Sequence, residues 1–428
     1  MPATGAVPDP PEDDSPGYKW KVAAMLGVIA LLNYADRSAV SAVLPLLRHD
    51  FDMSNVALAA TGSFFLWSYA LASPLCGVLA DRFARTRVVV VSLVAWSVAT
   101  ALTAFARNTT ELLIARVLLG ASEAAYLPAA FALLSGHHPS RTRATAMGIH
   151  LAGMDLGPVA GGTLAGFVGA EFGWRASFLL LGFLGIAVAV VAQLVLRDAR
   201  APADGGARRA APPSVSALQS LGILLRMPAY LCMLVSMMVV SIGTWIFYNW
   251  LPLYFSETFG MSLALAGFSG TATLQVAALV GVLLNGWLSD YLCRDRVERR
   301  LLLDGFGYLA AAPFLLVFLG DPTVARIATG CFLFALLRSI GSVNQITIVC
   351  ELLPDHLRAR GIALINVGNC MAGGLGIMAA GYLKNTFGLG GVFAGVSVVM
   401  LVAGSAPLVA YRYFRPSTPP AAPAPGGA

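Results

Sequence analysis

The stretch VAAMLGVIALLNYADRSAVSAVLPLL, Val22–Leu47, decides how the chain is read. It is apolar and, as an α-helix, long enough to cross the roughly 30 Å of hydrocarbon in a bilayer. Asp36 and Arg37 sit side by side inside it. An ionisable group at that depth costs about 2.5–3.5 kcal/mol on insertion scales, so a chain that keeps two together has a use for them. The pair predicts a membrane protein that handles charge within the membrane.

The rest of the chain agrees. Of its 428 residues 57% are apolar and 12% charged, whereas soluble domains carry roughly 25% charged residues. The apolar residues form successive blocks of about 20, the length of a spanning helix. The short alternating segments of a membrane β-barrel are absent from the sequence, which leaves an all-α integral membrane protein. The six cysteines form no Cys-x-x-Cys or Cys/His cluster, so no zinc site, disulfide framework, metal or cofactor is expected. The net charge of +6 lies in short loops, which reads as membrane topology and not as a nucleic-acid surface.

Twelve spans are expected, at 20–47, 55–80, 87–106, 111–136, 144–170, 174–197, 228–255, 263–289, 301–320, 323–352, 361–383 and 390–411. Residues 1–18 are Pro-rich and acidic, with no basic leader, and read as a disordered cytoplasmic tail; the first helix then acts as the insertion signal. Residues 199–226 include Pro202, Gly205, Gly206, Pro212 and Pro213 and read as a cytoplasmic linker. It separates a six-helix bundle at 19–198 from a second at 227–414, and a disordered tail follows at 415–428. With both termini cytoplasmic, 20 of the 28 Lys and Arg residues lie inside, three lie within spans, and five lie outside: Arg48, Arg107, Arg175, Arg326 and Lys384. That bias supports an even number of spans.

The halves repeat. Gly77-Val-Leu-Ala-Asp81-Arg82 corresponds to Gly286-Trp-Leu-Ser-Asp290-Tyr291 at an offset of 209, and Pro139-x-x-x-Arg143-Ala144 to Pro354-x-x-x-Arg358-Ala359 at 215. Two parallel six-span repeats predict a pseudo-symmetric pair of bundles with a site between them at the midplane, exposed alternately to either side.

Within the spans, Arg116 and Glu123 are two helical turns apart and share a face, about 10 Å apart along the axis, with Gly120 leaving that face open. Tyr34 and Arg37 can share a face, whereas Asp36 is turned by about 100° from Arg37. Arg37, Arg116 and Arg338 balance Asp36, Glu123 and Asp155. Protonating one acid leaves such a cluster at +1 and a bound carboxylate restores neutrality, which is a physical basis for proton–anion coupling.

The segment Gly77-Val-Leu-Ala-Asp-Arg-Phe-Ala-Arg-Thr-Arg87 resembles the loop 2–3 signature of the major facilitator superfamily, with Ala84 in place of one family glycine. Within that superfamily, Asn33-Tyr34-Ala-Asp36-Arg37, Arg116-Val-Leu-Leu-Gly120-Ala-Ser-Glu123-Ala, Gly173-Trp174-Arg175-x-x-Phe178, Trp250-Leu-Pro252-x-Tyr254 and Asn366-x-Gly368-Asn369 resemble the anion:cation symporter family of sugar-acid, hexuronate and aromatic-acid permeases and sialin-type carriers. Spinster-like lipid carriers share part of this pattern. The resemblance implies a substrate site at Arg37, Tyr34 and Tyr69 with Arg116 nearby, and proton coupling at Asp36 and Glu123. It implies an intracellular latch at Gly77, Asp81, Arg82 and Arg85, which the repeat extends to Arg143, Asp290 and Arg358.

Other residues have two readings. Asp155 is a third proton-coupling candidate or pairs with a neighbouring span; His150 titrates near neutral pH or fills a polar gap. Arg338 binds anion or locks the halves. Asn249 and Asn369 are candidates for the second-half wall of the substrate site, and with Asn344, Gln345 and Asn366 equally suit helix packing. Trp67, Trp245 and Phe247 read as packing residues. Gly153-x-x-x-Gly157-Pro158-x-x-Gly161-Gly162 reads as close helix packing and a bend, though it resembles a motif of drug/proton antiporters.

The expected protein is a monomeric multi-pass transporter of the plasma (inner) membrane that moves a small organic carboxylate with a coupling proton, Na⁺ being the alternative ion. Proton-coupled export of a drug-like anion, metabolite or lysolipid is the competing reading. A membrane enzyme or sensor has no catalytic or signalling module in the sequence to support it.

Overall fold

The computed structural model describes residues 17–198, 217–294 and 298–413. Residues 1–16 of the first predicted tail, the second tail and residues 199–216 of the predicted linker lie outside these, while Tyr18, assigned to the first tail, opens the first helix. Among the described residues ten helices are long and apolar enough to cross a membrane.

In chain order the helices are α1 (Tyr18–Ala42), α2 (Leu44–Phe51), α3 (Asn55–Arg82), α4 (Arg85–Thr103), α5 (Thr109–Glu123), α6 (Tyr126–His137), α7 (Ser140–Phe172) and α8 (Trp174–Val195). They continue with α9 (Ala217–Leu224), α10 (Pro228–Phe259), α11 (Leu263–Leu292), α12 (Arg299–Ala311) running into the 3₁₀ segment Ala312–Phe318, α13 (Val324–Leu352) and α14 (Asp355–Ala410). α1 carries Lys19, Lys21, Asp36 and Arg37 and is not one of the ten. α14 has 56 residues and bends at Gly388, whose φ of 67° and ψ of 171° leave the helical region.

Two predicted spans are each two helices. The first breaks at Val43, where Pro45 opens α2 and deprives Ser41 of a donor. The fourth breaks at Ala124 and Ala125, because Pro128 has no N–H for the Ala124 carbonyl. In both cases the pyrrolidine ring interrupts the i→i−4 ladder. The end of the predicted linker is also structured, as α9.

The sequence repeat is expressed in local structure at three pairs of positions 215 apart. The Asn108 side chain caps α5 by accepting from the Glu111 N–H, and Thr323 caps α13 by accepting from the Arg326 N–H. Arg143 Nε donates to the His138 carbonyl and Arg358 Nε to the Leu353 carbonyl, each back across a proline N-cap. Gly173 and Gly388 share a positive-φ extended conformation, at φ 83° and 67°, that a side chain would strain.

The chain forms two compact units. Of the described residues, the first takes 17–198, Thr244–Gln275 and Gly373–Val392, and the second takes 217–243, 276–294, 298–372 and 393–413. α10, α11 and α14 contribute to both. In the first unit α7 lies against α1 through glycine. A side chain on Gly153, Gly157 or Gly161 would run into the α1 backbone at Gly27, Leu31 or Ala35, so this stripe sets the close approach of the two helices. Gly120 likewise brings α5 onto α3 at Phe65 and Ser68. In the second unit α9 and α10 pack on the ends of α13 and α14 through Leu224, Tyr230, Met233, Leu352, Leu353 and Leu357.

Candidate functional site

Four ionisable side chains converge in the first unit. α1 brings Asp36 and Arg37, and α5 brings Arg116 and Glu123. Asp36, Arg116 and Glu123 are each at most 3% exposed. Arg37 Nε donates to Glu123 Oε2 at 2.8 Å, and its Nη2 donates to Asn33 Oδ1 at 3.0 Å. Its guanidinium lies 4.5 Å from the Tyr34 ring centre, 5.0 Å from Tyr69 and 5.3 Å from Phe65. An arginine faced by aromatic rings keeps favourable contacts on both faces without giving up its charge.

Arg116 is held differently. Its Nε donates to the Thr61 carbonyl at 3.1 Å, and its guanidinium lies 5.3 Å from Phe65. Its Nη1 is buried and has no hydrogen-bond partner among the described residues. Asp36 lies on another side of α1, near Thr100 of α4 and within electrostatic reach of Glu123 and Arg116. With all four ionised the cluster is neutral, which offsets part of the cost of burying each charge.

These groups border a cavity of about 220 Å³. Tyr34, Arg37, Ser38 and Ser41 of α1 form one side, with Gly62, Phe65 and Arg116 from α3 and α5 and Pro158 from α7. Thr244, Trp245, Tyr248 and Asn249 of α10 and Ile377 of α14 form the other. Gly62 leaves the room into which Asn249 Oδ1 projects, while Asn249 Nδ2 is buried and has no hydrogen-bond partner among the described residues. Tyr248 Oη donates to Gln275 Oε1 at 2.7 Å, and Gln275 Nε2 donates to the Asp155 carbonyl at 2.9 Å, so the Tyr248 ring is held at the wall. Two buried unpartnered donors at this cavity, an arginine N–H and an amide N–H, both suit an anionic or carbonyl oxygen.

The other predicted residues are distributed as follows. Tyr69 stands behind Arg37 and does not line the cavity. Asn369 belongs to the second unit, where its main-chain carbonyl accepts from Ser241. The Asp155 side chain is exposed, and only its carbonyl enters the site. His150 is fully buried against Tyr126, at 3.0 Å from the hydroxyl. Gly77 is in α3, the Asp81 side chain lies outside what the structure describes, and Arg82 is exposed. Arg85 donates to the Ala132 carbonyl of α6. Asp290 accepts from Arg300 at 2.7 Å, and Arg300 also reaches Ser289 and Asn344.

Of the α10 wall, sequence reasoning named Asn249 but missed Trp245 and Tyr248. Trp245 was expected to be packing, and it does rest against Gly373, but it also faces the cavity. Trp245, Tyr248 and Asn249 fall at i, i+3 and i+4, so one polar-aromatic face of a helix was the available signal. Asp304, which is fully buried in α12, was also missed.

Among the described residues no group of three or more His, Cys, Asp or Glu side chains is placed to hold a metal. A small, largely apolar cavity with buried ionisable side chains at its wall, among membrane-length helices, is the arrangement of a multi-pass membrane transporter. The model of the Major Facilitator Superfamily matches residues 26–377, and the chain belongs to that superfamily. An MFS-type efflux pump of Mycolicibacterium smegmatis is 26% identical over 417 residues, 94% of this chain and 93% of that protein. A probable galactarate/D-glucarate transporter of Escherichia coli is 25% identical over 420 residues, 90% of this chain and 91% of that one. Among solved structures, a bacterial homologue of the human lysosomal transporter Spinster, in an inward-facing and unoccupied conformation, superposes with a TM-score of 0.82 at 21% identity, over 94% of this chain and 98% of the other. At that identity the likeness is one of fold.

Proposed function

We propose that the protein is a secondary active transporter that carries a small organic carboxylate across the membrane together with a proton. The observation that carries this reading is the unequal state of two buried arginines at one cavity. Arg37 is engaged by Glu123, whereas Arg116 keeps Nη1 without a partner. A carboxylate in the cavity finds an unpartnered N–H on Arg116. Protonation of Glu123 removes the anion that holds Arg37 and releases a second guanidinium. The proton and the substrate anion then offset each other's charge in a cluster that is otherwise neutral. Arg37 is the switchable half of the site, Tyr34 and Asn249 are contacts beside it, and Asp36 is the second acid through which the proton leaves or enters.

The substrate class follows from size and chemistry. About 220 Å³ holds roughly seven waters and is smaller than the roughly 300–1,000 Å³ of drug-sized pockets. A sugar acid or short carboxylate fits that limit better than a lysolipid does. The similarity to a probable galactarate/D-glucarate transporter supports the same class.

The proposal includes twelve crossings, with α1–α2 as the first and α14 divided at Gly388, in two bundles at 19–198 and 227–414 that rock about the site. Both termini are on the cytoplasmic side of the plasma membrane, the protein acts as a monomer, and it transports without catalysing a reaction. The test is uptake of labelled sugar acids and short carboxylates into proteoliposomes under an imposed pH gradient. Accumulation that follows the gradient is expected. Uptake of each carboxylate that is indifferent to both a proton and a sodium gradient overturns ion-coupled symport.

Export is the second reading, supported by the similarity to the efflux pump. It predicts that deleting the protein from its host raises the cellular content of its substrate, where import predicts a fall.

A further inference from the structure

A third buried acid, after Asp36 and Glu123, lies apart from the cavity, in the second unit. Asp304 of α12 is fully buried, and both of its carboxyl oxygens are without a hydrogen-bond partner among the described residues. Tyr308, one turn further on the same face, is also fully buried with an unpartnered hydroxyl. Both side chains occupy the space opposite Gly341 of α13, where an added Cβ would lie 2.5 Å from the Tyr308 ring and 2.9 Å from Asp304 Oδ1. Arg338 stands on α13 one turn before Gly341, half-buried and within electrostatic reach of Tyr308.

The neighbouring surface toward α14 is apolar. α12 packs through Gly305 on Gly404 and Leu408 of α14, and the 3₁₀ segment that follows it, APFLLVF, has no ionisable side chain. The ionisable groups placed nearest to Asp304 are Tyr308 and Arg300, one turn to either side on α12, and Arg338 on α13; Arg300 is engaged by Asp290. An ionised carboxylate only accepts hydrogen bonds, and a charged one buried without donors is far costlier than the neutral acid. A permanently neutral acid does nothing there that Asn or Leu would not do with less strain on the membrane segment. An acid has a use where its proton comes and goes.

We propose that Asp304 is a further proton-binding carboxyl of the transporter, beside Glu123 and Asp36, protonated in the conformation described and deprotonated when Arg338 moves over it. The O–H bond breaks, the proton passes to water, and the guanidinium offsets the carboxylate charge that remains. Three residues separate Arg338 from Gly341, a rise of about 4.5 Å, so a slide of α13 along α12 by less than one turn brings the arginine to the acid. The absence of a side chain at Gly341 is what lets Asp304 and Tyr308 lie in the path of that slide. The role in transport rests on the proton-coupled reading above; proton binding by Asp304 does not.

The experiment uses the full chain in lipid vesicles. Infrared difference spectra across a pH titration are expected to show a protonated-carboxyl band that shifts in D₂O and is missing from Asp304→Asn. In Arg338→Gln the band is expected to persist to higher pH by about one unit, a tenfold rise in proton affinity. Reversal potentials of the wild type and Asp304→Asn are expected to differ by one proton per substrate. A full set of carboxyl bands in Asp304→Asn overturns the inference. If that variant does not fold, an unchanged titration in Arg338→Gln overturns it instead. Wild-type uptake that ignores the pH gradient counts against the proposed function alone, because the infrared titration still reads Asp304.

Discussion

Arg37 Nε donates to Glu123 Oε2 at 2.8 Å while the Glu123 side chain has no exposure to solvent. The pair ties α1 to α5 at the edge of the cavity, and its strength depends on Glu123 being ionised. Glu123→Gln imitates the protonated acid in shape. It is expected to abolish accumulation driven by a pH gradient and to spare substrate exchange at equal pH, measured as counterflow in proteoliposomes. Glu123→Ala removes one partner of a buried pair, a change that costs about 3–5 kcal/mol, so its melting temperature should fall well below that of Glu123→Gln. Gradient-driven accumulation retained in Glu123→Gln removes Glu123 from the coupling.

Arg116→Lys tests the anion receptor. Lysine keeps the charge but loses the planar fork that holds Thr61 with one N–H and offers another to the cavity. Loss of one charge-assisted hydrogen bond is about 1.5–3 kcal/mol, a weakening of carboxylate binding by roughly tenfold or more. Titration calorimetry with the identified substrate reads this directly. Unchanged affinity in Arg116→Lys places the substrate carboxylate elsewhere.

Much of this arrangement is legible in the sequence, for physical reasons. Asp36, Arg37, Arg116 and Glu123 stand out because charge within apolar runs is costly, and the seven-residue spacing puts Arg116 and Glu123 on one face. The same spacing does not say which arginine takes the glutamate. Glu123 is paired with Arg37 from another helix, while Arg116 turns to the Thr61 carbonyl, and that choice depends on where α1 and α3 lie against α5. The helix breaks at Val43 and Ala124–Ala125 were signalled by Pro45 and Pro128 but hidden by continuous hydropathy. Asp304 escaped notice because it follows Arg299 and Arg300 closely and reads as part of a charged helix end, although it is fully buried.

The glycine stripe of α7 gives a paired stability test. Gly161→Ala places a methyl group against the Ala35 backbone, which has no flexible end to move aside. Overpacking of that kind costs about 1–3 kcal/mol. Gly148 lies on the same helix with nothing within 4 Å of an added Cβ. Gly148→Ala gains only helix propensity, about 1 kcal/mol. The two alanines should therefore move the melting temperature in opposite directions. A shift of the same sign in both shows that the stripe does not set the approach of α7 to α1.

Asp50, at the end of α2, is held below the usual carboxylate range by hydrogen bonds from Arg175 at 2.5 Å and from the Trp174 indole at 2.9 Å. A carboxyl whose folded value is depressed contributes stability above its unfolded value, about 3.9, and loses it as pH falls through the folded value. The contribution is complete at neutral pH and disappears only in acid. Asp50→Asn lacks it at every pH. Melting temperatures of wild type and Asp50→Asn should differ at pH 7 and converge as pH falls below about 4. A gap that is constant down to pH 3 shows that the carboxylate charge is not what holds the α2–α8 corner.

Glu257, at the end of α10, accepts from Arg48 at 2.6 Å and from Lys384 at 2.8 Å. Arg48 continues to Asn55, and Asn55 to Asn385, each at 2.6 Å. In the proposed topology these residues lie on the outer face, at the ends of the first, second, seventh and eleventh proposed crossings. Each pair is partly exposed and contributes about 0–1 kcal/mol. That is small for stability but decisive for a balanced equilibrium, since 1 kcal/mol changes a population ratio about fivefold. Glu257 is the one acid between two cations here, and Glu257→Gln leaves Arg48 and Lys384 facing each other. The variant should shift the protein toward the state in which the outer ends separate, read as a longer distance between spin labels on α2 and on the start of α11. Raising the salt concentration should shift the wild type in the same direction, by screening its ion pairs, and the variant in the opposite one, by screening the repulsion left between Arg48 and Lys384. Identical distance distributions in the two proteins at low salt show that the outer network does not hold this side closed.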